Sequence, residues 1–188
     1  TTLRELRAVW EQQHGPGSVT GLAPSAAAAA VLAQSLDIPT ENTAKWLFEQ
    51  DRGTAGWQFR KDQLVIVDEA SLAGTLAIDR LRGLIDDAGA KMVLVGDPAQ
   101  MAAVDAGGAL ELVVSQMGAA APTLNQVWRF RSEWEAAASL SLRVGRVDVL
   151  DEYEQPGRLL GGGHDSMLEA AFNSWARDES EGLHSILV

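Results

Sequence analysis

The chain has no cysteine, which excludes disulfides, thiolate chemistry and any thiolate zinc site. Lysine is scarce: Lys45, Lys61 and Lys91 are the only ones, and none follows a glycine. The sequence therefore holds no Gly-x-x-x-x-Gly-Lys-Ser/Thr loop, whose backbone N–H groups cradle phosphate and whose lysine neutralises it. No run of about eighteen apolar residues is present to span a membrane. No basic segment followed by an apolar stretch suggests a signal peptide. The histidines, His14, His164 and His184, are scattered without metal-ligand spacing. Positive charge is in deficit, 15 Lys+Arg against 26 Asp+Glu for a net charge of −11, which argues against a nucleic-acid surface covering the chain. Charge acts locally, however, and Asp86, Asp87, Glu179 and Glu181 can lie far from a nucleic-acid track. What remains is a globular composition, 46% hydrophobic over 188 residues, enough for one domain or one domain plus the edge of another.

Within it, Leu64-Val65-Ile66-Val67 is a short apolar run that ends abruptly in Asp68-Glu69. Aliphatic residues without polar alternation suit a strand buried on both faces of a parallel sheet. Charges at the carboxyl end of such a strand sit where open α/β sheets bind ligands. Adjacent side chains there point to opposite sides, so one carboxylate can help hold Mg²⁺ while the other faces a water or a transferring phosphoryl group. The plainer alternative is a strand running into a solvated turn. A second strand, Lys91-Met92-Val93-Leu94-Val95-Gly96, leads into Asp97-Pro98-Ala99-Gln100-Met101 and then Gly107-Gly108. Between the two, Leu81, Leu84, Ile85 and Ala88 repeat at helical spacing, and Gly89 is placed to stop that helix. The right-handed crossover of this β-α-β unit puts both strand ends on one sheet edge, within reach of Gln100.

The segments VDEAS and LVGDPAQMAAVDAGGAL, in this order and spacing, resemble motifs II and III of superfamily 1 helicases of the RecD-like type. The likeness is nearest to the helicase region of MobF-class conjugative relaxases. Upstream, Val19-Thr20-Gly21-Leu22-Ala23-Pro24-Ser25 followed by five alanines resembles motif Ia, where a strand-to-helix turn touches the backbone of single-stranded DNA. Ser25 stands where that family usually has threonine, and it keeps the hydroxyl. Ser25 can also be read as an ordinary helix cap, and the free N–H groups of a helix start can bind phosphate. Downstream, Arg129 in LNQVWRF matches the arginine that reaches the γ-phosphate in these helicases; alternatively it is a surface arginine beside Trp128 and Phe130. The stretch from Trp134 to Gly145, with Trp134, Ala138 and Leu142 along one stripe, reads as a packing helix, and it too resembles the MobF pattern, as do Tyr153 and Gly157-Arg158-Leu159.

At the start, Thr1-Thr2-Leu3-Arg4-Glu5-Leu6 is similar to the helix that follows the phosphate loop in this family. That similarity implies a chain beginning just after the catalytic lysine, with Thr1 as the hydroxyl that ligates Mg²⁺; a register one residue later is equally compatible. Leu3, Leu6 and Trp10 otherwise describe an ordinary amphipathic helix. The final His184-Ser185-Ile186-Leu187-Val188 reads as the start of a buried strand.

The resemblance implies an α/β, RecA-like P-loop NTPase domain, with a parallel sheet, helices on both faces and no phosphate-loop strand. Residues 1–160 would be the first motor domain, and 161–188 a linker and the start of a second RecA-like domain. Implied cofactors are ATP and Mg²⁺. Asp68 would hold the metal, Glu69 would activate water, Gln100 and Arg129 would attend the γ-phosphate, and Pro24, Ser25, Gly107 and Gly108 would face single-stranded DNA. Further implied partners are the rest of a parent chain, with its phosphate loop, second RecA-like domain and a possible relaxase domain. The protein would be cytoplasmic, and the 188 residues alone inactive. A non-hydrolysing RecA-like interaction module and a P-loop ATPase that does not act on nucleic acid stand as alternatives. In the sheet, Leu64–Val67 is expected beside Met92 to Val95, Val19–Ala23 on its far side, and Thr123 to Asn125 apart from Met92 to Val95. Trp10, Trp134 and Trp175 fit helix faces and are expected in the core; Trp46 and Trp57 have no evident role.

Overall fold

The computed structural model describes residues 2–100, 107–124, 130, 132–183 and 185. Thr1, Arg129 and most of the strand expected from His184 lie outside them. Two compact units are formed, Thr1–Thr123 and Leu124–Val188.

The first unit runs α1 (Thr2–His14), β1 (Val19–Ala23), α2 (Ala26–Leu36), β2 (Thr40–Asn42), α3 (Thr43–Asp51), β3 (Leu64–Val67), a 3-10 turn (Ala70–Leu72), α4 (Thr75–Asp87), β4 (Lys91–Leu94) and α5 (Ala109–Met117). Its four strands pair in parallel in the order β2-β1-β3-β4. β1 and β3 are buried along their whole length, which a strand covered by helices on both faces requires of its sequence. Alternation of side chains then divides the core. Val19, Leu64 and Ile66 meet Leu32 and Leu36 of α2, with Leu3, Leu6 and Trp10 of α1 packed outside them. Leu22, Val65 and Val67 meet Trp46 and Leu47 of α3, Ile78, Leu81 and Ile85 of α4, and Leu110 of α5. The sheet is thus covered on both faces, as the sequence implied. α4 stops where expected: Gly89 takes φ 67° and donates its N–H to the Asp86 carbonyl at 3.0 Å.

The expected strand order holds. Val67 pairs with Leu94 on one side and with Leu22 on the other. Thr123 and Leu124 carry no strand, and Asn125 lies outside the described residues. β4 has β3 as its only partner among the described residues, and its Met92, Val93 and Leu94 are accordingly half-buried, unlike the sealed residues of β3. β2 was not legible: Thr40-Glu41-Asn42 has no apolar pattern, and it is held by the parallel ladder to β1. The segment that follows accounts for Trp46 and Trp57. Trp46 stacks on Phe59 at 4.9 Å and lies 5.3 Å from Trp57, and the Lys45 ammonium sits 5.3 Å from the Trp57 ring. Trp46 and Phe59 belong to the core cluster shared with α4, and Trp57 packs against it.

The second unit contains α6 (Glu133–Arg143), α7 (Leu150–Glu154) and α8 (His164–Ser180). α6 ends before Gly145, which has φ 80°. Among the described residues of this unit, Ala138 and Val149 are the buried apolar ones, and Trp134 meets Tyr153 edge-on at 5.3 Å. Trp10 is half-buried and packs against the α2-side core as expected, whereas Trp134 and Trp175 are half-buried and join neither core cluster, which corrects the expectation for those two. A tryptophan is too large to be sealed by one or two neighbouring helices, and α8 has no buried residue.

Candidate functional site at the carboxyl edge of the sheet

The strand order contains a reversal. From β1 the chain crosses through α2 to β2 on one side; from β3 it crosses through α4 to β4 on the other, and α2 and α4 lie on opposite faces. The carboxyl ends of β1 and β3 therefore flank a topological switch point, where the diverging connections open a crevice. Pro24 and Ser25 leave β1 at this edge, Asp68 and Glu69 leave β3, and the loop bearing Gln100 leaves β4. The strands stay zipped up to that edge: Asp68 N–H donates to Leu22 O, Val95 N–H to Val67 O and Ala70 N–H to Val95 O, each at 2.8 Å.

The carboxylate pair sits on a backbone reversal. Glu69 adopts φ 50°, ψ 40°, a left-handed conformation that costs a residue with a side chain about 1–3 kcal/mol. Its N–H donates to Asp68 Oδ1 at 3.0 Å, and its carbonyl accepts from Leu72 N–H at 2.9 Å. The reversal stops the strand and leaves Asp68 and Glu69 half-exposed at the crevice. Immediately behind, Ser71 is 8% exposed, and its Oγ has no hydrogen-bond partner among the described residues. Gly96 makes this turn's fit to β4 possible. A Cβ there would come 3.1 Å from the nitrogens of both Ala70 and Ser71 and 2.9 Å from Leu110 Cδ2.

Ser25 caps α2, accepting from Ala28 N–H at 3.1 Å. Asn42 does more, and sequence reasoning missed it. Its Oδ1 accepts from Lys45 N–H at 3.0 Å, capping α3, while its Nδ2 donates to Pro24 O at 2.9 Å. Thr43 Oγ1 donates to Ala23 O at 3.1 Å. The Pro24-Ser25 turn is therefore clamped from β2 and α3. A signal existed, since asparagine directly before Thr-Ala-Lys-Trp is a helix-start pattern. The Glu41 carboxyl beside it is held below its ordinary range by the Lys45 ammonium at 2.6 Å and the Asn42 N–H at 2.8 Å, against a small desolvation penalty. Asn42→Ala should destabilise the domain by about 0.5–2 kcal/mol from the cap alone, and by more than Ser25→Ala, because the bond to Pro24 goes with it. Chemical denaturation of the two variants checks the order.

Gln100 is exposed on a turn in which Asp97 Oδ1 accepts from Ala99 N–H at 3.0 Å and Asp97 O from Gln100 N–H at 3.1 Å. Further along, Gly107 O accepts from Thr75 Oγ1 at 3.2 Å, and Gly108, at φ 96°, opens α5. The loop after β4 is thus pinned to the segment after β3 at both ends, by the Gly96 seam and by Thr75. The structure brings Pro24, Ser25, Asp68, Glu69 and Gln100 to the carboxyl edge and ties Gly107 to the start of α4.

A Mg²⁺ ion suits the carboxylate pair. Nucleotide-dependent sites hold this ion with one or two carboxylates, waters and phosphate oxygens rather than an all-protein cage, and the described residues contain no group of three or more His, Cys, Asp or Glu able to form one. A triphosphate is met only in part, because the sequence has no phosphate-cradling loop. Among the described residues no helix is long and apolar enough to cross a membrane.

A doubly wound parallel sheet with paired carboxylates at its switch point defines a RecA-like nucleotide-binding domain. A family profile described as an AAA domain matches residues 1–164. The chain belongs to this AAA domain family, on its RecD-like helicase branch. It is 33% identical over 166 residues to the conjugal transfer protein TraA of Rhizobium radiobacter, covering 86% of this chain and 14% of that protein. It is 31% identical over 165 residues to TraA of Agrobacterium fabrum, again covering 86% and 14%. To a probable TraA of Sinorhizobium fredii it is 30% identical over 161 residues, covering 85% and 14%. The chain thus spans about 14% of the length of these relatives.

Proposed function

We propose that the chain is part of an ATP-driven DNA helicase motor in a conjugative relaxase-helicase. In this reading residues 1–160 belong to the first RecA-like domain, and 161–188 are the linker and the start of the second. This is a division by family and differs from that of the compact units, which part at Thr123. The observation that carries the proposal is the meeting of Asp68-Glu69, the Ser25 turn and the Gln100 loop on one sheet edge at the switch point. Asp68 holds Mg²⁺, directly or through water, with the Thr1 hydroxyl as a second ligand. Glu69 orients the attacking water and accepts its proton, Gln100 contacts the γ-phosphate, and Arg129 stabilises charge developing in the transition state. The roles of Thr1 and Arg129 rest on the motif resemblance alone. Bound ATP supplies the transferable phosphoryl group, and its cradle comes from elsewhere in a parent chain. Pro24, Ser25 and the Gly107-Gly108 turn face the backbone of single-stranded DNA, where the N–H groups opening α2 suit phosphate. The other partners are the second RecA-like domain and a relaxase domain, in a cytoplasmic protein.

Strand displacement by the complete protein tests this reading. Unwinding should require ATP and Mg²⁺, and hydrolysis should rise when single-stranded DNA is added. The 188 residues alone should show neither activity, because the charge clamp and N–H cradle that dominate phosphoryl-transfer catalysis are missing from them. Hydrolysis by the complete protein that ignores DNA, or hydrolysis by the isolated chain that Glu69→Gln abolishes, would contradict the proposal.

A further inference from the structure

At the carboxyl end of β1 the chain passes from a sealed strand into a helix whose first residues are exposed. Ala23 is fully buried, Pro24 half-buried, and Ser25, Ala26 and Ala27 are exposed. The N–H groups that open a helix have no partner within it. In α2 that of Ala28 is met by Ser25 Oγ at 3.1 Å, while those of Ser25, Ala26 and Ala27 have no partner among the described residues.

The direction of these donors is set from another element. Asn42, the last residue of β2, donates from Nδ2 to Pro24 O at 2.9 Å. The buried Thr43 adds a bond from Oγ1 to Ala23 O at 3.1 Å. No peptide bond among the described residues is cis, and in a trans peptide C=O and N–H point opposite ways. Holding Pro24 O against Asn42 therefore turns the Ser25 N–H away from β2. The amide doing this is itself fixed, because its Oδ1 accepts from Lys45 N–H at 3.0 Å. The Lys45 ammonium is bound by Glu41 Oε2 at 2.6 Å. The turn thus offers neutral donors, whose worth depends on alignment.

We propose that Asn42 is a positioning residue for nucleic-acid engagement: by holding the Pro24 carbonyl back on the β2 side, its side-chain amide aims the Ser25 N–H and the start of α2 at a backbone phosphate of single-stranded DNA. This rests on the function proposed above, which places DNA at Pro24 and Ser25, and extends it to a residue that does not touch the strand. Freed from Asn42, the Pro24–Ser25 peptide can rotate and present its carbonyl oxygen to the phosphate in place of its N–H.

The test is Asn42→Ser in the complete protein, with Asn42→Asp as a second variant. Serine and aspartate cap a helix about as well as asparagine, but neither carries an amide that can cap α3 and reach Pro24 O together. ATP hydrolysis is measured against the concentration of a dT oligonucleotide. Half-maximal stimulation should need roughly three- to tenfold more DNA, the equivalent of one neutral hydrogen bond. KM for ATP, and kcat at saturating DNA, should stay within about twofold of wild type. In a Ser25→Ala background, adding Asn42→Ser should raise the DNA requirement less than about twofold further, since both residues act through one turn. Folded variants with the wild-type DNA requirement overturn the inference, as does a loss confined to kcat or to KM for ATP, or full additivity with Ser25→Ala. If neither variant folds, the clamp is purely structural and the inference is likewise overturned. Wild-type hydrolysis that DNA does not stimulate marks instead a failure of the proposed function, and the positioning role falls with it.

Discussion

In the complete protein, Glu69→Gln is expected to lower ATP turnover by roughly 10²–10⁴-fold, the usual effect of losing a general base, while nucleotide binding stays largely intact. The amide keeps the shape of the side chain and cannot accept a proton. Because the left-handed backbone at Glu69 is fixed by the Asp68 Oδ1 contact to its N–H and by the Leu72 bond to its carbonyl, the substitution should leave the turn in place. Asp68→Ala should behave differently. It removes the carboxylate assigned to Mg²⁺ and the acceptor of the Glu69 N–H together, so Mg²⁺-dependent nucleotide binding should weaken and the turn should loosen. Steady-state hydrolysis and equilibrium binding of a nucleotide, measured on both variants, separate the roles; equal loss of binding in the two would mean that they are misassigned.

Gly96→Val should damage both fold and activity. Even a single Cβ meets the Ala70 and Ser71 nitrogens at 3.1 Å, and these are backbone atoms that cannot swing aside as Leu110 can. Forcing a branched side chain into that seam should destabilise the domain by about 1–3 kcal/mol. It should also push the 68–71 turn away from β4, breaking the Ala70 N–H bond to Val95 O. Turnover should therefore fall by more than the folded fraction alone explains. Unfolding in denaturant together with the activity per folded molecule checks this, and a stable, fully active Gly96→Val protein would contradict the seam as described.

Periodicity and punctuation made several elements of the fold legible in the sequence. β3 and β4 announced themselves as unbroken aliphatic runs because both lie in a helix-covered sheet, and Gly89 and Gly145 marked helix ends through their positive φ. β2 was silent because three polar residues can pair with β1 without any apolar pattern of their own. Asn42 was visible in type as a cap, but its second bond, to Pro24 O, depends on β2 lying beside β1. The same holds for Gly96 and Ser71. Close backbone approach and an unmet hydroxyl arise from tertiary packing, and neither residue type betrays them along the chain. The position of the Asp68-Glu69 pair at a switch point follows from strand order, which the motif resemblance supplied and periodicity did not.

The most direct measurement is the location of a divalent ion. Crystals of the complete protein grown with Mn²⁺ in place of Mg²⁺ and a non-hydrolysable ATP analogue give an anomalous signal that marks the metal without reference to any assumed chemistry. A peak is expected at the carboxyl edge between β1 and β3, within about 2.0–2.2 Å of an Asp68 oxygen or one bridging water away, with Glu69 on the side of the terminal phosphate. A well-occupied peak bound by other residues, with Asp68 and Glu69 far from both metal and nucleotide, would contradict it.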